Sequence, residues 1–172
     1  MHLLSALSLL ALGTPTSAFF GSSANLSSTS FCKTYDCSPA VLTRGESPAY
    51  IYTHTLNVPG VTAKLFRYPK QARPDTNQAR TAPVLAASLD VWISSKTDVR
   101  AVAKIVRDLV KTVGGPDELP ELYQGCLLNA RRSDLPAGFE HVIVRTRLVF
   151  VKCVYVKPGA QLTFAVNPVL ND

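Results

Sequence analysis

The chain has 172 residues, 47% of them hydrophobic, and its 18 Lys and Arg outnumber 12 Asp and Glu for a formal charge of +6. That length and apolar content describe one domain with a single core and exclude a disordered polyelectrolyte. The cationic excess favours anionic surroundings such as nucleic acid, acidic glycans or membrane surfaces, and is silent on fold.

The first eighteen residues read as a signal peptide, with an apolar run from Leu3 to Leu12, a Gly13-Thr14-Pro15 breaker and a small-residue site at Thr16-Ser17-Ala18. The leader departs from the usual pattern in one respect, since no Lys or Arg precedes the apolar run. That run is about half of the roughly 20 apolar residues needed to cross a bilayer, and no later segment is apolar enough to span. The expected mature N-terminus is Phe19, and the expected location is secreted or periplasmic. The domain map is then a signal peptide over 1–18, a flexible lead-in over 19–31 and a single globular domain over 32–172. The lead-in is small and polar, and carries Asn25-Leu26-Ser27, a glycosylation sequon in a eukaryotic host.

Cys32, Cys37, Cys126 and Cys153 all follow the leader, and an even count in an exported chain reads as two disulfides. A structural zinc site would usually show two close pairs about two to four residues apart, whereas only Cys32 and Cys37 are near each other. The expected pairs are Cys32–Cys37 and Cys126–Cys153, the second stapling a helix to the sheet.

Ala49 to Asn57 and Val61 to Tyr68 are rich in β-branched and aromatic residues and flank Pro59-Gly60, so they predict a hairpin. Tyr50, Tyr52, His54 and Leu56 share its inner face. Residues 69–83 are polar and aperiodic, a long loop. Val84 to Ser94 alternates, which places Leu85, Ala87, Leu89, Val91 and Ile93 inward and Ser88, Asp90, Trp92 and Ser94 outward. Ser95-Lys96-Thr97-Asp98 fits a capping box for a helix with Val99, Val102, Val106, Leu109, Val110 and Val113 on one stripe, stopped by Gly114-Gly115-Pro116. Asp117 is expected to cap a second helix reaching Arg131, with a stripe of Leu119, Leu122, Tyr123, Cys126, Leu127 and Ala130. Beyond the breaker at 133–138, His141 to Val156 reads as strand throughout. At about 3.3 Å per residue this strand would be too long for the domain if straight, so it should break around Arg145-Thr146-Arg147. A turn at 157–160 precedes a last strand, Leu162 to Val166. The fold class is α+β: a mostly antiparallel sheet of about five to six strands with two consecutive helices packed on one face, in the order β-β-β-α-α-β-β.

The spacings of serine-hydrolase elbows, zinc proteases, phosphate loops and dinucleotide folds are all absent, which argues against those reaction classes. His54 and His141, the only histidines after the leader, would need a carboxylate and a nucleophile close by to support a small hydrolase acting on glycan or nucleic acid, with Asp90 a third candidate. Asp90 and Trp92 also pair an acceptor with an aromatic platform, as carbohydrate sites do, although a strand Trp more commonly covers its neighbours. Cys126 and Cys153 fall on apolar faces, which argues against thiol catalysis. At 100° per residue Arg100, Lys104, Arg107 and Lys111 fall within about 60° of one another and form a cationic ridge opposite the helix stripe. The ridge is a candidate anion-binding surface, against the plain alternative of a solvated face with Asp108 beside it. These features together describe an exported, disulfide-bonded, non-catalytic module that binds an anionic polymer or cell-envelope component, with no cofactor and no metal. The alternatives are the small secreted hydrolase and a secreted effector with a host protein partner.

Overall fold

The α+β class is realised as one seven-stranded antiparallel sheet in the order β1-β2-β3-β4-β7-β6-β5. A computed structural model describes residues 19–45, 49–69, 76–131, 135–157 and 160–169. The expected signal peptide over 1–18 lies outside the described residues, as do parts of the 69–83 loop, the 133–138 breaker and the 157–160 turn. The strands are β1 (Val41–Arg44), β2 (Tyr50–Thr55), β3 (Val61–Arg67), β4 (Val84–Trp92), β5 (Glu140–Arg145), β6 (Val149–Lys157) and β7 (Gln161–Pro168). The helices are α1 (Ser30–Thr34), α2 (Thr76–Thr81), α3 (Val99–Thr112) and α4 (Glu121–Asn129).

The sheet register shows how alternation builds the core. Val61, Val91, Leu162 and Tyr155 form one cross-strand row, Ala63, Leu89, Phe164 and Cys153 a second, and Leu65, Ala87, Val166 and Val151 a third. All twelve are buried and share one core with Val102, Ile105, Val106, Leu109 and Val110 of α3 and Tyr123, Cys126 and Leu127 of α4. Asp98 caps α3 by accepting from the amides of Arg100 and Ala101 at 3.0 and 3.1 Å. Gly114, at φ 89°, ends it in the left-handed conformation that glycine adopts without steric cost.

Several expectations need correction. There are seven strands rather than five to six. Short helices α1 and α2 precede β1 and β4, and β1 is an additional edge strand paired with β2. The expected break in the 141–156 strand falls where it was predicted, at the turn where Thr146 closes onto Val149, and yields the β5–β6 hairpin. Leu85 is not inward: the β3–β4 register skips it, pairing Phe66 with Ala86 and Arg67 with Val84, so Val84 is buried and Leu85 turns out. The second helix starts at Glu121 rather than after Asp117, because the Asp117 carboxylate is taken by two cations of α3. Leu119 is accordingly 71% exposed and Leu122 46%, while Tyr123, Cys126, Leu127 and Ala130 are buried.

Residues 19–31 are not the flexible lead-in their composition suggested. Phe19, Leu26 and Phe31 enter the core, Asn25 caps a 3-10 turn at Leu26–Ser28, and Thr29 caps α1. The amide of Gly21 donates to Val84 O at 2.8 Å and the amide of Val84 to Ser22 O at 2.9 Å, tying this segment to the start of β4. Three large apolar side chains spaced among small polar ones suffice to anchor it.

The disulfides are Cys32–Cys37, with Cα atoms 4.8 Å apart, and Cys126–Cys153, at 6.5 Å, the pairs expected from the sequence. The second joins α4 to β6. No helix among the described residues is long and apolar enough to cross a membrane. The disulfides are consistent with an extracytoplasmic protein.

Removing the bridge that closes the longer loop should destabilise more, though only with the logarithm of loop length. A Cys126→Ser, Cys153→Ser variant is expected to lose roughly 3 kcal/mol and a Cys32→Ser, Cys37→Ser variant about 2 kcal/mol, measured by urea unfolding. The reverse ranking would show that the long bridge does not hold the helix layer to the sheet.

Tyr123 meets Phe164 edge-on at 6.2 Å, and its buried hydroxyl has no hydrogen-bond partner among the described residues. Burial, with the Glu118 charge adding, pushes its pKa up to about 12. A raised folded-state pKa means that the stability linked to Tyr123 is complete below the ordinary tyrosine value near 10 and is lost as pH climbs from there through about 12. Tyr123→Phe should therefore be no less stable than the wild type at pH 7 and should unfold at higher pH in an alkaline titration followed by circular dichroism. An unchanged alkaline midpoint counts against this role.

Candidate functional site

Three places hold the residues with chemical potential: the outer side of α3, a cleft under β2 and β3, and the sheet face away from the helices. The α3 ridge is present but electrostatically divided. Arg100 and Lys104 are exposed, with no carboxylate ion pair among the described residues. Arg107 donates to Asp117 through Nε at 2.8 Å and pairs with it at 2.7 Å, and Lys111 Nζ reaches the other carboxylate oxygen at 2.6 Å. The Lys111 and Arg107 hydrogen bonds hold the Asp117 carboxyl below its ordinary range. Asp108 is not a free charge beside the ridge, because its carboxylate accepts the Tyr35 hydroxyl at 2.5 Å, which together with burial pushes the tyrosine upward.

The two histidines are not brought together. His54 is completely buried on β2 and His141 is exposed on edge strand β5. In the sheet order they are five strand spacings apart, about 24 Å at roughly 4.8 Å per strand. One imidazole ring therefore cannot assist the other. His54 Nδ1 lies 2.9 Å from Ser38 O, and its Nε2 has no hydrogen-bond partner among the described residues. The Cys32 and Cys37 sulfurs come within 4.8 Å of the His54 ring nitrogens, a grouping with metal-ligand spacing. Both sulfurs are shared in the disulfide, so they present no thiolate to a metal. Asp90 sits on the outward face of β4, as its parity predicts, but is buried there between Lys64 and Thr163. Trp92, two residues on, is 52% exposed.

The cleft under β2 and β3 is the feature that sequence reasoning missed. It encloses about 660 Å³ between the 23–27 segment, the 37–42 segment and the inner ends of β2 and β3. Arg67 forms its floor and is only 2% exposed. One guanidinium nitrogen donates to Ala82 O at 2.5 Å, the other to the carbonyls of Ser23 and Ala24, and the ion lies 5.1 Å from the centre of the Tyr52 ring. No carboxylate pairs with it among the described residues. Arg67 Nε and the Tyr52 hydroxyl, both buried, have no hydrogen-bond partner among the described residues. Burial depresses the Arg67 pKa and raises that of Tyr52, yet a guanidinium keeps its charge under all ordinary conditions. Lys33 and Arg80, both exposed, also line the cleft. One signal in the sequence pointed here: Arg67 shares parity with Val61, Ala63 and Leu65 and so belongs to the buried face of β3.

Protein-family models, curated proteins and solved structures contain no match to this chain.

Because Asp117 engages Arg107 and Lys111 and offsets one of the four ridge charges, the open cations Arg100 and Lys104 should dominate its response to salt. Retention on duplex DNA is expected to follow a log affinity against log salt slope between about −2 and −3, where four free cations would give about −3 to −4. Asp117→Asn should steepen the slope, and an Arg100→Glu, Lys104→Glu variant should flatten it while circular dichroism stays unchanged. Equal slopes for all three proteins would mean that the ridge is only a solvated face.

Proposed function

We propose that this protein is a non-catalytic, extracytoplasmic module that binds an anionic ligand, carrying carboxylate, sulfate or phosphate groups, at the cleft floored by Arg67. The observation that carries the reading is a fully buried guanidinium with no carboxylate beside it among the described residues. A charge in a low-dielectric interior is expensive to bury and projects its field far more strongly than one in water. Backbone carbonyls accept from its two terminal nitrogens but do not offset its charge. The field therefore reaches the cleft, where Lys33 and Arg80 add to it and Asn25, Ser27 and Ser38 supply neutral polar groups. The open half of the α3 ridge is a second, weaker patch of the same sign, suited to the flank of an anionic polymer or envelope surface.

Export rests on the leader pattern and is supported by the two disulfides. The hydrolase reading is weaker, since His54 is buried with one nitrogen held near Ser38 O and His141 stands at the far edge of the sheet. No observation favours a host protein partner.

The test uses a heparin-derived hexasaccharide as the anionic probe and a dextran of equal length as the neutral control, with backbone amide shifts as readout. Heparin should move the amides of residues 23–27 and 38–42, and dextran should not. A Lys33→Glu, Arg80→Glu variant alters only exposed rim positions and should bind at least about ten-fold more weakly, as two removed charge contacts imply, with an unchanged melting temperature. Retained affinity in that variant, or shifts confined to α3, would place anion binding elsewhere.

A further inference from the structure

The sheet face turned away from α3 and α4 carries a groove of about 440 Å³ that the anion-binding reading does not use. The register fixes its floor. Lys64, Ser88, Ala165 and Lys152 form one cross-strand row, and Thr62, Asp90, Thr163 and Val154 the next. Small side chains at Ser88 and Ala165 leave the centre open, and a ligand cleft of roughly 300–1,000 Å³ is the ordinary size for a small-molecule site.

Two observations give this groove a chemical character. Ser88 is 2% exposed, lines the groove, and its hydroxyl has no hydrogen-bond partner among the described residues. Buried polar groups are nearly always paired, so a free hydroxyl at the floor of an open groove is a donor and acceptor awaiting one. The second observation is that the charges here are matched. Lys64 Nζ lies 2.5 Å from Asp90, whose other oxygen accepts from Thr163 at 2.8 Å, and Lys152 pairs with Glu140 at 2.7 Å. Such a groove has no net field to attract an ion, yet it offers ammonium donors, a carboxylate acceptor and hydroxyl groups at fixed positions. Asn167 and Gln161 extend this polar set, and Phe66, Tyr68 and Val156 supply apolar walls.

We infer that this groove binds a neutral saccharide. A pyranose ring presents adjacent hydroxyls that both donate and accept, which matched Lys–Asp and Ser–Thr groups read, and apolar C–H faces that aromatic walls cover. The exposed Trp92 pairs across the sheet with Gln161, so it stands at the groove's end and serves as a built-in reporter. It is also the only tryptophan in the chain. The site lies on the opposite face of the sheet from Arg67 and stands or falls without it.

The experiment titrates the intact protein with tetrasaccharides of glucose, mannose, galactose and N-acetylglucosamine, following Trp92 fluorescence and the backbone amides of β4 and β7. At least one tetrasaccharide should change the fluorescence and move the amides around Ser88, Asp90 and Thr163. Ser88→Ala removes a hydroxyl that bonds to nothing in the free protein, so its melting temperature should hold or rise, while affinity falls about five-fold. Ala165→Leu fills the groove from the surface and should abolish binding. The Lys33→Glu, Arg80→Glu variant should bind the saccharide as the wild type does, which separates this site from the anion cleft. No response to any of the four sugars, or equal affinity in Ser88→Ala and Ala165→Leu, overturns the assignment.

Discussion

A sheet covered by helices on one face only gives the two sides of every strand different tasks, and the placement of each chemically useful residue here depends on that asymmetry. On the covered side three cross-strand rows of apolar residues meet α3 and α4 without a polar interruption. On the open side the same strands present Lys64, Ser88, Asp90, Thr163 and Lys152. β4 lies at the centre of the sheet order, so it is crowded from both sides, and Ser88 and Asp90 are buried although no element covers them among the described residues. Half-exposed lysine side chains, 30% for Lys64 and 24% for Lys152, account for part of that shielding. Burial of a carboxylate in such a place requires partners, and Asp90 has two.

Arg67 illustrates a different solution to the same difficulty. It sits at the end of β3 on the covered face, where the helix layer gives way to the 19–31 segment. Its hydrogen bonds join β3 to Ser23 and Ala24 on one side and to Ala82 before β4 on the other. The segment that looked too polar to fold is thus tied down by three large apolar side chains and one buried cation. Asp117 shows the contrasting surface case. Its exposed pairing with Arg107 and Lys111 is screened by solvent and adds little stability, but it offsets charge where the ridge would otherwise be strongest. The positive field of the molecule is consequently weighted toward the cleft and the first two turns of α3.

Much of the scaffold was legible because it follows local periodicity. The α3 stripe, its Asp98 cap, the Gly114 stop, the β2–β3 hairpin and the break near Thr146 each depend on residues within a few positions of one another. The disulfide pairs were legible because the inward parity of Cys126 and Cys153 left few alternatives. What escaped depends on distant partners. β1 is four residues long, largely exposed and without alternation, and exists only because β2 offers it an edge. Leu85 turned out because a register shift against β3 is a property of two strands, not one. Asp117 could serve as a helix cap or an ion-pair partner by sequence alone, and the α3 cations decided between them. Helical geometry alone places the four ridge cations on one face, whereas the Asp117 that engages two of them and the carbonyls that hold Arg67 come from outside the elements that carry them.

The same one-sided architecture bears on catalysis. A nucleophile, a base and an orienting group must converge within hydrogen-bond reach, and an antiparallel sheet favours this only where loops from several strands gather at one end. Here the polar side chains that do converge, Lys64, Ser88, Asp90 and Thr163, stand in the middle of strands whose backbone amides are committed to the ladder. The Lys64 ammonium is engaged by the Asp90 carboxylate. Rigid strands with interlocked registers hold groups at fixed separations, which suits recognition of a preformed ligand. The cleft at Arg67 and the groove at Ser88 thus share one physical origin: polar groups that the sheet places where the fold itself leaves them incompletely satisfied.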